Sequence, residues 1–412
     1  MNKTISFIHC ADLHIDSPFV GLSHLPPRLF DEVKESTYQA LKNLVDYAIE
    51  KQVDFVLMVG DLFDQEQQSL KAQSRLRDAF VQLKAYNIDV FVSYGNHDHI
   101  NGRIFDFDYP DNVYVFDQDN VIPITYKKND DALATIYGFS YLERAVDENK
   151  TAEYVKSGEA PFHIGMLHGS ISSNTEHDVY APFQLSDLTD KDLDYWALGH
   201  IHKRQILKEH PPIIYPGNTQ GRSRKEDGEK GCYYVEMDRN HCTVHFQPLQ
   251  AIRFETIEMD ASNCVQIQDL EQLFEQQLSE VKKLCGKTIV TVELKGEAKQ
   301  LQDWKQAGFI DELIDYYNES SEKESIWVFI QKIRLQHSVT WDREQLKQGN
   351  HFIGELVRSF DQQEDVSDSL QPLYNHRRAR KYLQTLTIQE QQEIKTEAEN
   401  LLLHHLLKDG EK

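Results

Sequence analysis

The chain has 412 residues, 40% hydrophobic and 27% charged, an ordinary globular mix with room for two or three domains. Asp and Glu number 67 against 44 Lys and Arg, and the net charge of −23 excludes gripping nucleic acid or an anionic membrane by bulk charge. Five scattered cysteines without a CxxC pair exclude a disulfide framework and a thiolate zinc site. The first ten residues carry no secretion signal, and no apolar run approaches the ~20 residues of a membrane span, so a cytoplasmic location is expected.

Residues 5–9 read as a strand leading into Asp12-Leu13-His14. A helix over 33–51 follows, with Leu41, Leu44, Val45 and Ala48 as its apolar stripe. Residues 55–59 form a continuous apolar run closed by Gly60-Asp61, the pattern of a strand buried on both faces. A second helix over 70–86 leads to another such strand, 88–94, which ends in Gly95-Asn96-His97-Asp98. Shorter strands are expected near 134–139, 163–167, 195–198, 213–215, 232–237 and 243–247. Strands and helices alternate first and strands crowd later, which predicts an α/β fold of two packed sheets flanked by helices.

Beyond residue 253 the pattern changes. A strand, a helix (270–284), a strand (288–294), a helix (301–317) and a strand (326–335) predict a small α/β domain. From about 342 the signal is helical, with a basic run at 376–381. Thr387-x-x-Glu390 has the form of a capping box, so a helix is expected from there to about 407. Its predicted apolar stripe is Ile394, Ala398, Leu401, Leu402 and Leu406, with Glu399 on the polar side. The expected domains are 1–252, 253–341 and 342–412.

Five segments carry chemistry: Asp12-Leu13-His14, Gly60-Asp61-Leu62-Phe63-Asp64, Gly95-Asn96-His97-Asp98, Leu167-His168-Gly169 and Gly199-His200-Ile201-His202. Three of them lie just past the C-terminal end of a predicted strand, the edge at which open α/β sheets place ligands. Their carboxylates, amide oxygen and imidazoles are hard or borderline metal ligands. On an extended backbone the two side chains of D-x-H or H-x-H share a face, so each pair can grip one ion. Alone, a GNHD or a GHxH is an ordinary polar turn. All five in this order are hard to obtain by chance.

The five segments resemble the signature of the calcineurin-like metallophosphoesterases, whose fold is a two-sheet α/β sandwich around a two-metal centre. Their order and spacing most resemble SbcD-type DNA repair exonucleases, in particular a YhaO-like bacterial branch. The opening His9-Cys10-Ala11-Asp12 and the stretch from Tyr215 to Arg222 add to the likeness, which covers about 1–250. Beyond that only the layout, a small α/β cap and a C-terminal helical segment, is similar. The resemblance implies one ion held by Asp12, His14, Asp61 and His202. It implies a second held by Asp61, Asn96, His168 and His200, with Asp61 bridging. This mixed oxygen and nitrogen set suits manganese, though iron or zinc would fit it too. His97 matches a residue that acts on the leaving oxygen, and Asp64 stands where it could orient His97 or cap the following helix.

The implied activity is metal-dependent phosphodiester hydrolysis, as a DNA exonuclease working in repair. The alternative is a metallophosphatase or phosphodiesterase for a small molecule or phosphoprotein. Arg222, Arg224 and Lys225 read either as contacts to backbone phosphates or as an exposed hairpin tip. Residues 255–345 hold ten Lys or Arg against eighteen Asp or Glu, so the cap is not itself a basic clamp. The resemblance also implies an SbcC-type coiled-coil ATPase docked on the C-terminal helices, which would supply the missing positive charge, and it allows a homodimer. The plain reading of those helices is packing on their own chain.

Overall fold

The computed structural model describes residues 3–408 apart from 20, 23, 65–67, 103–107, 173–179, 338–342, 350, 363–365, 377–385 and 387. Thr387 of the expected capping box and residues 377–381 of the basic run lie outside the described residues.

The chain opens with β1 (Ile5–Cys10), α1 (Pro27–Lys51), β2 (Phe55–Val59), α2 (Leu70–Ala85), β3 (Asp89–Ser93) and β4 (Val113–Val115). Then come β5 (Ile122–Lys128), β6 (Asp131–Gly138), β7 (Phe162–His168), α3 (Leu185–Thr189), β8 (Tyr195–Gly199) and β9 (Gln205–Glu209). The series closes with β10 (Pro212–Tyr215), β11 (Gly231–Met237) and β12 (Cys242–Pro248). Among the described residues these strands make two six-stranded sheets, in the orders β12-β11-β1-β2-β3-β4 and β5-β6-β7-β8-β10-β9. In the first, β1 to β4 are parallel. In the second, β6, β7, β8 and β10 are parallel.

The alternation of β2 shows how the layers form. Phe55, Leu57 and Val59 face Ile136, Ile164, Met166 and Ala197 in the core between the sheets. Val56 and Met58 point the other way, under Leu41, Leu44 and Val45 of α1 and Leu76 and Phe80 of α2. All five strand residues are fully buried, as their unbroken apolar run requires. Outside the second sheet, Trp196, Leu167, Leu198 and Ile213 form a third core with Leu188 of α3. A two-sheet sandwich with flanking helices therefore stands as the sequence pattern predicts.

Several boundaries differ for local reasons. The first helix begins six residues before the expected start, because Pro27 lies in its first turn, where its missing N–H costs nothing. The single helix expected over 301–317 is two, α5 (Ala298–Gln306) and α6 (Phe309–Glu322), since Gly308 takes φ 84° between them. The edge strands β5 and β9 were not anticipated, because their exposed, partly charged residues dilute the apolar signal.

The described chain divides into two compact units. One is Met1–Met259, Cys264–Leu294 and Gly308–Arg334. The other is Asp260–Asn263, Lys295–Ala307 and Leu335–Lys412. A third sheet of β13 (Arg253–Asp260), β14 (Thr288–Gly296) and β15 (Val328–His337) is accompanied by α4 (Ile267–Cys285). Within the first unit, Trp327, Phe329, Ile289 and Phe254 pack on Phe19, Leu22, Leu29 and Val33. The Trp327 indole N–H donates to Glu32 Oε2 at 2.9 Å, and Lys287 pairs with the same carboxylate at 2.7 Å.

The C-terminal unit contains α7 (Arg343–Gln348), α8 (Phe352–Gln362), α9 (Ser367–Asn375) and α10 (Ile388–Lys408). Arg343 joins three of them, donating to Glu399 Oε1 at 2.9 Å and Asp361 Oδ1 at 2.7 Å. Glu399, expected on the polar side of α10, is buried together with Leu403 one turn on, while Ala398, Leu401 and Leu402 of the apolar stripe are exposed. No helix of the described residues is long and apolar enough to cross a membrane.

Trp327→Ala removes the largest side chain of the core around α1 and leaves Glu32 without its indole donor. Its urea unfolding midpoint should fall by the equivalent of about 3–5 kcal/mol, the usual cost of truncating a buried tryptophan.

Candidate metal centre

The C-terminal ends of β1, β2 and β3 in one sheet and of β7 and β8 in the other meet at one edge of the sandwich. The loops leaving them carry Asp12 and His14, Asp61, Asn96 and His97, and His200 and His202, while His168 is the last residue of β7. The first two loops run side by side. Asp12 N donates to Gly60 O at 3.2 Å, His14 N to Asp61 O at 3.0 Å and Ile15 N to Leu62 O at 2.9 Å.

The extended D-x-H backbone expected from the sequence is not what forms. Asp12, His14, Asp61 and His200 have φ of 51°, 42°, 49° and 96°, the left-handed region that side chains other than glycine rarely occupy. Such strain persists only where the surroundings over-determine it, and here it turns successive side chains into one buried point. Two glycines make room for them. A Cβ on Gly60 would lie 2.2 Å from His168 Nδ1, and one on Gly95 would lie 2.3 Å from Asp61 Oδ1.

The seven expected ligands come together. Asp61 Oδ2 lies 3.8 Å from His14 Nε2 on one side and 3.5 Å from His168 Nε2 on the other. On the His14 side, His14 Nε2 and His202 Nε2 are 3.0 Å apart and Asp12 Oδ1 is 3.9 Å from His202 Nε2. On the His168 side, Asn96 Oδ1 sits 3.1 Å from His168 Nε2 and 3.3 Å from His200 Nδ1. Asp12, His14, Asp61 and His168 are almost wholly buried.

Charge in this dry site is tightly balanced. Burial pushes the Asp12 carboxyl up to about 6, against the pull of His202 and His168. Burial and the neighbouring Asp61 push Asp98 up to about 7. Burial acts on Asp61 too, but the charge and hydrogen bond of His168 hold it well below the usual carboxylate range. Asp98 serves the backbone, accepting from Leu62 N at 2.7 Å and Gly95 N at 2.8 Å, and so ties the Asp61 loop to the Asn96 loop.

Two imidazoles are fixed through Nδ1 by a carbonyl. His168 Nδ1 is 3.1 Å from Val59 O and His97 Nδ1 is 2.9 Å from Asp64 O. A carbonyl can only accept, so each Nδ1 carries the proton and each Nε2 is the ring atom left for other work. Asp64 thus holds His97 through its main-chain oxygen. Its carboxylate pairs with Arg222, lies 3.3 Å from His14 Nδ1 and has an oxygen within 4.8 Å of a His97 ring nitrogen.

Arg222 is also not a simple exposed contact. Its guanidinium bridges Asp64 and Glu226 and is largely buried, while Arg224 and Lys225 follow on the same turn, half-buried and exposed. Glu226, which no motif singled out, lies 2.8 Å from His202 Nδ1. Lys230, also unforeseen, donates to His202 O at 3.0 Å. Nothing in the local sequence marks either residue, because their contacts depend on how the 216–230 segment folds back on the His202 loop.

The donor set fits two hard or borderline divalent cations: oxygens and imidazole nitrogens only, with one carboxylate oxygen between the two histidine groups. Asp12, His14 and His202 would hold one ion and Asn96, His168 and His200 the other, with Asp61 shared.

The comparisons agree with this geometry. A family model described as calcineurin-like phosphoesterase matches residues 5–204. The chain is 39% identical over 407 residues to the metallophosphoesterase YhaO of Bacillus subtilis (strain 168), covering 98% of this chain and 99% of the relative. It is 29% identical over 277 residues to the DNA double-strand break repair protein Mre11 of Thermoplasma acidophilum, covering 61% of this chain and 69% of that one. The protein of the same description from Methanocaldococcus jannaschii is 26% identical over 304 residues, covering 71% and 77%. The chain belongs to the calcineurin-like metallophosphoesterases.

Asp61→Asn takes one of two carboxylates from the ion beside Asp12 and the sole carboxylate from the other, so calorimetric titration of the metal-free variant with manganese should show both binding events weakened together. A crystal structure of Asp61→Asn with two fully occupied ions would refute the shared carboxylate. Gly95→Ala, whose methyl group collides with Asp61 and His168, should lose manganese binding while keeping a far-ultraviolet circular dichroism spectrum like that of the unaltered protein.

Proposed function

We propose that this calcineurin-like metallophosphoesterase hydrolyses phosphodiester bonds of DNA, as an exonuclease in repair working with an SbcC-type coiled-coil ATPase in the cytoplasm. The observation that carries the reading is the Asp61 carboxylate set between two histidine groups, a centre suited to two ions, with manganese as the proposed metal. The DNA part is supported by two relatives described as DNA double-strand break repair proteins. When bound, a pair of ions supplies an activated water and neutralises charge on the scissile phosphate.

The chain's own residues do the rest. His97 is anchored at Nδ1 by Asp64 O and stands 5.0 Å and perpendicular to the His14 ring; in its imidazolium form it carries a second proton at Nε2, the one it gives to the leaving oxygen. Arg224 and Lys225, on the turn near His202, are the proposed contacts to backbone phosphates. Arg222, committed to two carboxylates, holds that turn in place. On α10, exposed Leu401 and Leu402 form the proposed seat of the ATPase, whose basic surface would offset the acidity of this chain. A homodimer is the second assembly this reading allows.

The substrate is tested with manganese and three compounds: linear duplex DNA, bis(4-nitrophenyl) phosphate and 4-nitrophenyl phosphate. Turnover of the duplex and the diester supports the proposal, and turnover of the monoester alone replaces it with a phosphatase. His97→Ala should keep two ions per chain by elemental analysis yet lose ~10²–10⁴-fold in DNA turnover. Its loss should be smaller on the nitrophenyl diester, whose leaving group needs no proton. Leu401→Glu with Leu402→Glu should leave diester turnover intact and abolish co-purification of a large ATPase from the host. An unchanged complex would move the docking site elsewhere.

A further inference from the structure

Among the contacts around the metal centre, one set links His202 to the turn that anchors His97. Glu226 Oε1 lies 2.8 Å from His202 Nδ1, and Glu226 Oε2 accepts from Asn218 Nδ2 at 2.9 Å and from the backbone N of Arg222 at 2.7 Å. The carboxylate is thus held at both oxygens. Arg222 Nη2 stands 3.2 Å from Glu226 Oε1 and also 3.2 Å from His202 Nδ1. Two proton arrangements are open at that corner, and chemistry decides between them. An ionised carboxylate only accepts, and it makes the shorter contact with Nδ1, so His202 carries its proton there and the Arg222 proton goes to Glu226. His202 Nε2 then turns a lone pair toward Asp12 and His14, 3.9 Å and 3.0 Å away.

The other end of Arg222 reaches Asp64, whose carbonyl fixes His97. Four side chains therefore form one line: His202, Glu226, Arg222 and Asp64, ending at the main-chain anchor of His97.

We infer that Glu226 is a positioning residue, the carboxylate that fixes the tautomer and ring angle of His202 as a ligand, and that Arg222 ties this ligand to the Asp64 turn carrying His97. The inference rests on the two-metal reading of the site. Carboxylates behind metal-binding imidazoles set the tautomer, raise ligand basicity and typically contribute 10–100-fold in metal affinity. Glu226→Ala should therefore weaken one ion selectively, because Glu226 engages His202, whose Nε2 lies beside Asp12 and His14 on one side of Asp61. Glu226→Gln, which keeps an oxygen able to accept from Nδ1, should recover much of the loss.

The test is calorimetric titration of the full-length, metal-free protein with manganese chloride, beside its thermal unfolding without metal. The unaltered protein should show two binding events. Fewer than two would refute the two-metal reading itself and the inference with it. With two present, the expected result for Glu226→Ala is one event weakened by about 10–100-fold and the other within about 2-fold. Glu226→Gln should fall between Glu226→Ala and the unaltered protein. Unchanged binding in Glu226→Ala, equal weakening of both events, or no recovery in Glu226→Gln would each overturn the inference. Should Glu226→Ala fail to fold, the same titration on Glu226→Gln decides: one event weakened, by less than about 10-fold, with the other unchanged supports the inference, and undiminished binding or equal weakening of both events refutes it.

Discussion

A carboxylate held out of water between two clusters of imidazole is the constraint around which this molecule is arranged. Asp61 is almost fully buried, and an ion in such a place is costly unless it is paired and hydrogen-bonded. The backbone N–H of His97 donates to Asp61 Oδ1 at 3.0 Å, while Oδ2 faces His14 and His168. Those partners come from three strand ends in two different sheets. The sandwich must therefore close so that the C-terminal edges of β1, β2, β3, β7 and β8 coincide. The glycines at 60 and 95 and the left-handed backbone at Asp12, His14 and Asp61 follow from the same demand for space around one side chain.

Bringing ligands together is only half of what a metal site needs, since an imidazole with the wrong nitrogen forward binds nothing. In this fold the task falls to groups behind the ring. Val59 O and Asp64 O engage the Nδ1 atoms of His168 and His97, and Glu226 engages that of His202. The first two are backbone carbonyls, so their identity is indifferent to side chain. The third depends on a glutamate. Asp98 acts at one further remove, joining Gly95 N and Leu62 N so that the Asn96 and Asp61 loops keep a common frame. Rigid support of this kind is what lets short loops deliver side chains with useful accuracy.

Charge works on two scales in this protein. Over the whole chain the balance is strongly negative, which repels polyanions at long range. Within the site, Arg222 and Lys230 are drawn in among carboxylates, where they hold structure rather than extend a basic surface. Elsewhere the same economy recurs. Glu32 serves Trp327 and Lys287 together, and Arg343 serves Glu399 and Asp361 together. Glu399 of that last pairing is buried, while Leu401 and Leu402 of the same helix are exposed.

The sequence by itself determined the layers and marked the candidate ligands. The run Phe55 to Val59 could only be a strand covered on both faces, and metal-binding residue types stood out in five segments, three of them at predicted strand ends. Seven residues that the motifs marked do lie within a few ångströms of one another, because each is tied to a strand end whose place the hydrophobic pattern sets. The tertiary structure decided what the motifs leave open. Whether Asp64 meets His97 by side chain or by carbonyl, whether Arg222 faces solvent or two carboxylates, and whether Glu399 or Leu401 is buried are all fixed by distant partners. Glu226 was invisible for the same reason. Its value lies in a contact with His202, 24 residues earlier in the chain, and local sequence carries no record of which polar groups the fold will bring face to face.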